Sequence, residues 1–581
     1  MGAGFRLFYG VIKYSWLMLE FRSKQILGTA ILVSVAAVTL VMAPYTLLDP
    51  INLPKLCALA FSSIFVLSLI APTSRRLFNS DFRVLLIVLI LFVLQILLVL
   101  FFSGANFGGQ FYGTFGRNTG GLAYISLSIV ILGVSLVADK DFLKKFVRLT
   151  LIIGAVLIAY GNIQYLGLEP FPFVNAYTVN APIGTFGNPD FQSAFMGLIN
   201  VVSITMALNT AFKIHTRIIL LVMGFVSIIV IYETLAKQGY LNFVAGAGAV
   251  AILWLFMNQR NKLALALSGL GAVGGGLVFL GLINAGPLAS FLYKGSLAAR
   301  GFYWRAAIKM LTGHPFLGVG MDGFGDWYKR TRSPDYVTNN FLTVSNTAHN
   351  VYLDIASSGG FPLIAAYFAI LTLVIISIIK VVKRSTGFDV YFVAIVGAWV
   401  AYQTQAFVSI NQLGIAIWGW VLSGLIIGYE INTRAIKSVD ISPMNNKHKM
   451  KKTKTSIQPL SSTALISALG GLVIAALVAI PPYYVNASFY SAVKSGDIKA
   501  IKAAAYLKPI DDRRLKSLAS ILLDNKYDAD AIVVIRDAVV NYPDSYDFWK
   551  MWSTTPTATP SDLATAKAQL KRLDPFNPDL K

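Results

Sequence analysis

Long apolar runs, separated by short polar segments, recur along most of this 581-residue chain. Many of these runs approach the roughly 20 residues that an α-helix needs to cross the hydrocarbon core of a bilayer. The pattern therefore predicts an all-α polytopic membrane protein with about thirteen transmembrane helices. Their predicted cores are 26–47, 56–70, 84–102, 122–137, 149–166, 191–208, 218–232, 240–257, 263–283, 361–379, 390–407, 415–429 and 464–480.

Lysine and arginine lie beside alternate ends of these runs, and this alternation predicts how the chain is oriented. Connections rich in lysine and arginine stay on the cytoplasmic side of a membrane. The opposite short connections contain only Lys55, Arg117 and Lys237. We therefore predict a multi-pass protein of the bacterial cytoplasmic (inner) membrane, with a cytoplasmic amino terminus and an extracytoplasmic carboxyl terminus.

The same alternation divides the chain into segments. The predicted segments are a cytoplasmic or interfacial amino terminus at 1–24, a membrane domain of about twelve helices at 25–432 with a large extracytoplasmic loop at 284–358, a basic cytoplasmic linker at 433–462, a last transmembrane helix at 463–485 and an extracytoplasmic helical domain at 486–581. The last segment is more polar and alternates Ala-rich stretches with turns, as tetratricopeptide arrays do. It could be a docking surface for a protein partner or a soluble cap.

Composition supports the membrane assignment and narrows the chemistry. Charged residues make up only 13% of the chain, and the mean hydropathy is +0.65, whereas a soluble protein of this size would have more charge. The net charge of +22 is distributed as topology requires, so nucleic acid is not an expected partner. Cys57 is the only cysteine, and the histidines lack metal-ligand spacing. No cofactor or metal is expected, and the substrate itself must supply the energy of any reaction.

The large outer loop contains the most concentrated polar sequence. Residues 297–311 have helical spacing, a glycine-dense turn follows at 313–324, and a new helix is expected to begin at Asn346 or Thr347. On this interpretation His349 lies on the first turn of that helix. A helix amino terminus lowers the pKa of a nearby imidazole, which keeps it neutral and able to accept a proton. An ordinary loop histidine remains the alternative.

Isolated cations on the predicted outer face form the second signal. Arg117, Lys237, Arg300 and Arg305 lie where positive charge is otherwise scarce. Guanidinium groups match the oxygens of phosphate in pairs, so together these residues predict binding of an anionic lipid head. Taken singly, Arg305 could contact only lipid headgroups, and Arg117 could only cap a helix. His314 precedes a proline in the glycine turn, and we interpret it as structural.

Several motifs in this region follow one another in a specific order. They are Arg300-x-x-x-Trp304, His314-Pro-Phe-Leu-Gly-Val-Gly320, Ala348-His349-Asn350 and Gly359-Gly360, with weaker support from 116–120 and 184–190. This arrangement resembles the O-antigen ligase/polymerase superfamily, which comprises bacterial membrane proteins that move glycans from undecaprenyl pyrophosphate. The resemblance covers about 103–429.

The resemblance implies a metal-independent glycosyltransferase whose catalytic residues are Arg300 and His349. The loop arginine and a second arginine would hold the pyrophosphate, and the histidine would assist the acceptor. In this chain Lys237 replaces the second arginine, and Arg117 and Arg305 would assist. Supporting roles fall to Trp304, Asn350 and His314. The donor would be a polyprenyl-pyrophosphate-linked glycan, and the acceptor a glycan, a lipid or a protein.

Other functions remain open at this point. A transporter or flippase for lipid-linked glycans would place its polar residues at mid-membrane depth and show related halves. A non-catalytic scaffold would depend on the helical tail. Within the transferase class, a protein O-oligosaccharyltransferase differs from a ligase or a polymerase only in its acceptor.

Overall fold

The computed structural model describes residues 24–71, 77–78, 80–171, 181–292, 296–335, 337, 344–434 and 462–580. Within these ranges the chain is helical and has no strand, which confirms the predicted all-α fold. The predicted interfacial segment before Lys24 and residues 435–461 of the predicted basic linker lie outside the described residues.

Long helices cross the body of the molecule, and shorter ones form its outer loops and tail. In chain order they are α1 (Lys24–Leu40), α2 (Asn52–Ile70), α3 (Ser80–Phe102), α4 (Phe107–Tyr112), α5 (Gly121–Val137), α6 (Lys140–Tyr165), α7 (Pro189–Ala207), α8 (Ile214–Glu233), α9 (Gln238–Met257), α10 (Asn261–Leu282), α11 (Ala289–Leu292), α12 (Ser296–Gly313), α13 (Phe324–Thr331), α14 (Val351–Arg384), α15 (Val390–Val408), α16 (Leu413–Asn432), α17 (Ser462–Ser495), α18 (Ile498–Ala505), α19 (Asp512–Asp524), α20 (Asp528–Asn541), α21 (Tyr546–Thr554) and α22 (Pro560–Leu573).

Each of the predicted crossings overlaps one of these helices. Ten helices in the described ranges are long and apolar enough to span a membrane, while α1 and α5 are apolar but shorter. The polytopic membrane fold is therefore confirmed, and thirteen crossings remain a prediction.

Helix α7 is a predicted crossing whose lower hydropathy leaves it outside the ten spanning candidates. Its polar side chains face protein: Asn200 Nδ2 donates to the Gly224 carbonyl at 2.6 Å and to Ser227 Oγ at 3.0 Å. Gln192 and Ser203 are fully buried. Polar groups of this kind join helices inside a membrane bundle. The lower hydropathy of α7 therefore follows from its central position.

Contacts between distant loops group at two ends of the bundle, as the predicted alternation requires. At one end, Lys24 bonds Asp139 at 2.7 Å and Arg434 bonds Asp81 at 2.5 Å. At the other end lie the large loop and the tail. Which end faces the cytoplasm remains a prediction from the charge pattern.

Lys55, one of the few cations on the predicted outer side, has a structural role. Its ammonium donates to the carbonyls of Val38, Thr39 and Val41 at 2.7–3.2 Å, and the side chain is fully buried. These carbonyls close the carboxyl end of α1, where a helix leaves oxygens without partners. Lys55 therefore caps α1.

The tail is a layer of short helices with its own apolar core, docked on the large loop. The predicted end of the last crossing at 485 lies inside α17, which continues to Ser495 because Phe489 and Ala492 join the core of the tail. Helices α19 and α21 begin at Asp512 and Tyr546, 34 positions apart, which is the tetratricopeptide repeat length. The assignment to that repeat class remains a prediction.

A buried ion pair holds the tail on α13. Arg332 Nη2 lies 2.8 and 2.7 Å from the two carboxylate oxygens of Asp574, and both side chains are 1% exposed. Arg330 bonds Asp544 at 2.5 Å, and the Lys329 ammonium lies 3.6 Å from the centre of the Tyr546 ring. The tail therefore lies on the segment that follows the glycine turn.

Candidate functional site

The glycine-rich turn after α12 fits against a break in α14. Gly360, with φ 73° and ψ −174°, interrupts that helix. The Val319 N–H donates to the Ser357 carbonyl, and the Phe361 N–H donates to the Pro315 carbonyl, both at 2.8 Å. A Cβ on Gly318 would lie 2.4 Å from the Ser357 oxygen, so only glycine fits. This confirms that Gly359-Gly360 ends the first segment, and it fixes α12 relative to α14.

His349 lies just before α14 rather than on its first turn. The N-cap is Asn350, whose side chain accepts from the Leu353 N–H at 3.0 Å. The predicted caps, Asn346 and Thr347, are wrong because His349 has φ +52°, a left-handed conformation that a helix cannot include. The Thr347 hydroxyl instead donates to Asp354 at 2.6 Å.

The His349 imidazole is surrounded by protein and by cations. Its ring centre lies 5.5 Å from that of Tyr303. Burial, followed by the charges of Arg300 and Arg117, lowers the pKa of His349 to about 4. The predicted lowering of the His349 pKa is therefore confirmed, but its main cause is desolvation rather than a helix amino terminus.

Arg300 projects from α12 into the same region. It is 8% exposed, and its Nη1 donates to the Val408 carbonyl at 2.5 Å. Its Nε–H is buried and has no partner among the described residues. Burial lowers the pKa of Arg300, and the nearby carboxylate of Asp190 opposes that shift. Asp190 closes the quoted motif 184–190, but sequence reasoning assigned it no role.

Arg117 is held by two carboxylates. Its Nη2 lies 3.4 Å from Asp322 Oδ1 and 3.9 Å from Asp354 Oδ2, and Nη1 donates to the Asn346 carbonyl at 2.5 Å. The guanidinium therefore ties the loop before His349 to the glycine turn. Sequence analysis missed both carboxylates, because each lies more than two hundred residues from Arg117 and follows no spacing rule.

The remaining predicted cations are exposed. Lys237 is the N-cap residue of α9, and its ammonium forms no ion pair within the described part of the chain. The Arg305 guanidinium lies 4.5 Å from the centre of the Phe302 ring. His314 packs against Trp327, with ring centres 4.5 Å apart, in agreement with a structural role. The structure thus brings Arg300 and Arg117 close to His349, while Lys237 and Arg305 are exposed to solvent or lipid.

A large apolar groove of about 1820 Å³ lies beneath α12, between α9, α10, α14 and α15. Four glycines of α9 and α10 are among its lining residues, and no atom lies within 4 Å of where their Cβ atoms would be: Gly248, Gly271, Gly274 and Gly275. The missing side chains therefore widen the groove.

Polar groups gather where the groove meets the outer loop. Trp304, Arg305, Asn350 and Gln403 line that end, together with one carboxylate, Asp335. The Trp304 Nε1–H and the Gln403 Nε2 are buried and have no hydrogen-bond partner among the described residues. Buried donors are normally paired, so this end of the groove suits a ligand rich in acceptor oxygens.

Part of the chain matches a known protein family. Residues 222–368 match the model of a family described as O-antigen ligase. The segment includes Arg300, Trp304, His314, His349 and most of the groove lining, but not the tail. No curated protein matches the chain. The family match confirms the resemblance to the O-antigen ligase/polymerase superfamily, and it supports a membrane enzyme of the glycan ligase or polymerase type.

Proposed function

We propose that this protein of the O-antigen ligase/polymerase superfamily transfers a glycan from a polyprenyl-pyrophosphate donor to an acceptor hydroxyl on the extracytoplasmic face. The observation that supports this most strongly is the groove. Its apolar walls suit a long lipid tail. Its polar end is lined by Val408, whose carbonyl accepts from Arg300, and by Asn350, which directly follows His349 in the chain. A lipid-linked diphosphate needs an apolar channel that ends in cationic donors, and the two features adjoin here.

The proposed chemistry assigns a role to each side chain near the polar end. Arg300, assisted by Lys237 and Arg305, binds the pyrophosphate and stabilises the charge that grows on it. The acceptor oxygen attacks C1 of the first donor sugar, the C1–O bond to pyrophosphate breaks, and the pyrophosphate leaves with the electron pair. His349 takes the proton of the acceptor hydroxyl as the new bond forms.

The low pKa of His349 fits this sequence of events. Without donor, the charges of Arg300 and Arg117 disfavour the imidazolium. A diphosphate bound at Arg300 offsets that positive charge and raises the pKa of the imidazole. His349 is thus neutral before the reaction, and it becomes a stronger base once the donor is in place.

We propose for Arg117 a role other than the predicted one of helping to hold the pyrophosphate. Its two carboxylate partners leave its guanidinium less able to bind phosphate directly. We assign it to positioning, because it links Asn346, in the loop before His349, to Asp322 in the glycine turn.

A flippase is the alternative that shares the same donor. It would move the lipid-linked glycan without forming a product, and it would need polar groups along the membrane depth. The polar lining of the groove instead gathers at the outer-loop end. A protein O-oligosaccharyltransferase would use the same site with a protein acceptor.

The test is reconstitution of the full chain in vesicles that carry fluorescent polyprenyl-pyrophosphate oligosaccharide, with an acceptor saccharide outside. A transferase forms a glycosylated product and releases polyprenyl pyrophosphate, even when all the donor faces outward. Movement of donor between the leaflets without product would instead identify a flippase and contradict the proposal.

A further inference from the structure

A second cavity, of about 110 Å³, lies between the tail and the outer loops. One water molecule needs roughly 10–15 Å³ on this scale, so the cleft has room for several waters or for a ligand of monosaccharide size. Its walls are the 105–118 segment, which includes α4, the 321–326 segment, and the tail residues 509–512 and Tyr542. We call it the tail cleft.

The lining of the tail cleft combines aromatic rings with oxygen acceptors. The rings are those of Tyr112, Phe115 and Tyr542. The polar groups include the carboxylates of Asp322, Asp326, Asp511 and Asp512 and the amides of Asn106, Gln110, Asn118 and Asn486. Among the described residues, no lysine, arginine or histidine lines it. The cleft therefore suits a ligand that donates hydrogen bonds and disfavours an anion.

Asp326 is an exposed carboxylate in the lining of the cleft. Its side chain is exposed to the cleft, and it forms no ion pair among the described residues. Crowding by protein, followed by the charges of Asp512 and Asp544, raises its pKa to about 7. The nearest cations, Lys516 and Arg330, each pair with another carboxylate. Asp326 is thus available to accept from a ligand.

We propose that the tail cleft binds a neutral or amino-sugar residue of the acceptor saccharide. Carboxylates and amides accept hydrogen bonds from sugar hydroxyls and ammonium groups. Aromatic rings offer flat apolar surface, which suits the C–H faces of a sugar ring. The proposal rests on the transferase function, and it names the class of acceptor.

The position of the cleft supports this role. Asp322 lines the cleft and pairs with Arg117 at 3.4 Å. Arg117 in turn donates to Asn346, in the loop that leads to His349. A saccharide held in the cleft would thus lie beside Asp322, which the Arg117 side chain connects to that loop. The tail supplies one wall of the cleft. The buried ion pair that holds the tail on α13 would therefore help to form a binding site, and the tail would be more than a soluble cap.

The test measures binding of soluble oligosaccharides to the full-length protein in nanodiscs without donor. The probes are a neutral glucose trimer, a glucosamine trimer and a galacturonate trimer. The wild type is expected to bind the neutral or the amino probe and to reject the acidic one. Above pH 7, where the Asp326 carboxyl is ionised, Asp326→Asn should bind about tenfold more weakly, which is the loss expected for one hydrogen bond to a charged group.

A second pair of variants tests whether binding needs the open volume of the tail cleft. Gly109 lines the cleft, and the nearest atoms to a Cβ there lie 3.7–4.0 Å away. Gly109→Phe should fill the cleft and abolish binding, while Gly109→Ala should bind as the wild type does. Asp524→Asn is the matched carboxylate control, because Asp524 is exposed on the same tail outside the cleft.

The outcomes separate this proposal from the transferase function. No binding of any probe, a preference for galacturonate, or wild-type binding by both Asp326→Asn and Gly109→Phe would overturn the acceptor cleft. Glycan transfer that persists unchanged in Gly109→Phe would also overturn it, while leaving the transferase function intact. Cleft-dependent binding without any transfer would instead overturn the transferase function, and it would leave the cleft as a saccharide site that is not an acceptor site.

Discussion

The groove beneath α12 and the cleft beneath the tail differ in nearly every physical respect. The groove is large, apolar and glycine-lined, and it meets a guanidinium and buried unpaired donors at one end. The cleft is small and lined with carboxylates, amides and aromatic rings. One site offers donors to an anion, and the other offers acceptors to hydroxyls. Under the proposed function, the contrast assigns the donor to the groove and the acceptor to the cleft.

The largest expected effect concerns the attachment of the tail, without which the cleft loses one of its walls. Asp574→Ala leaves Arg332 buried without its carboxylate, and removing one partner of a buried pair costs about 3–5 kcal/mol. We expect the tail to detach, with faster proteolysis of 486–581 and loss of saccharide binding. Donor binding in the groove should be unchanged.

The control for this variant is Arg536→Ala, which breaks the half-exposed Arg536–Asp562 pair within the tail. Exposed pairs contribute about 0–1 kcal/mol, so proteolysis should stay at the wild-type rate. Equal proteolysis of the Asp574→Ala protein and the wild type would show that the buried pair does not hold the tail.

The next effect concerns the polar end of the groove. Arg300→Ala removes the buried guanidinium, and we expect transfer to fall about 10²–10³-fold, as for the loss of one donor to a developing charge. Arg300→Lys keeps the charge but loses the paired donors, so its loss should be smaller. Transfer rates in vesicles measure both. Lys309→Ala, an exposed cation on the same helix, should transfer normally, and a comparable loss there would contradict the assignment.

A smaller effect, on KM for the donor, is expected when a glycine of the groove wall is replaced by a large residue. Gly274→Phe places a ring where no atom lies within 4 Å of the Cβ position, and it should displace part of a bound lipid tail. We expect KM for a full-length polyprenyl donor to rise about tenfold, since roughly 1.4 kcal/mol of apolar contact is lost. A donor with a short prenyl tail should be affected less.

The control for Gly274→Phe is a second glycine of α10. Gly276 likewise has no atom within 4 Å of its Cβ position, but it does not line the groove. Gly276→Phe should leave KM unchanged. An equal rise in KM for both variants would mean that the ring disturbs α10 rather than the lipid path.

The smallest effect is a shift in pH dependence. The pKa of His349 is about 4 without donor, below its ordinary value, so the imidazole is neutral above that pH and is protonated only as the pH falls through it. The acid limb of kcat/KM should therefore lie near pH 4. The limb of kcat should lie at higher pH, because the bound diphosphate raises the pKa. Coincident limbs in both profiles would contradict an anion beside His349.

Local pattern was enough to predict much of this structure. Apolar runs of bilayer-spanning length become helices, and Gly359-Gly360 ends a helical segment because only glycine fits against Pro315 and its neighbours. The association of Arg300 with His349 followed from motif resemblance.

Features that depend on distant contacts could not be predicted. Asp322 and Asp354 pair with Arg117 across more than two hundred residues, and no spacing rule reveals such a pair. The helix start was misplaced because His349 adopts a left-handed conformation, which the pattern of capping residues does not reveal. The groove and the tail cleft arise only when separate helices and loops meet, so neither has a signature within one segment.

The most direct test of the central claim compares wild type, His349→Ala and His349→Gln in a single-turnover transfer assay with saturating donor and acceptor. Loss of a positioned base typically costs 10²–10⁴-fold, and glutamine cannot replace it. We predict a rate at least about 10²-fold lower for both variants, with donor binding retained. Transfer at the wild-type rate in either variant would contradict the assignment of His349 as the acceptor's base.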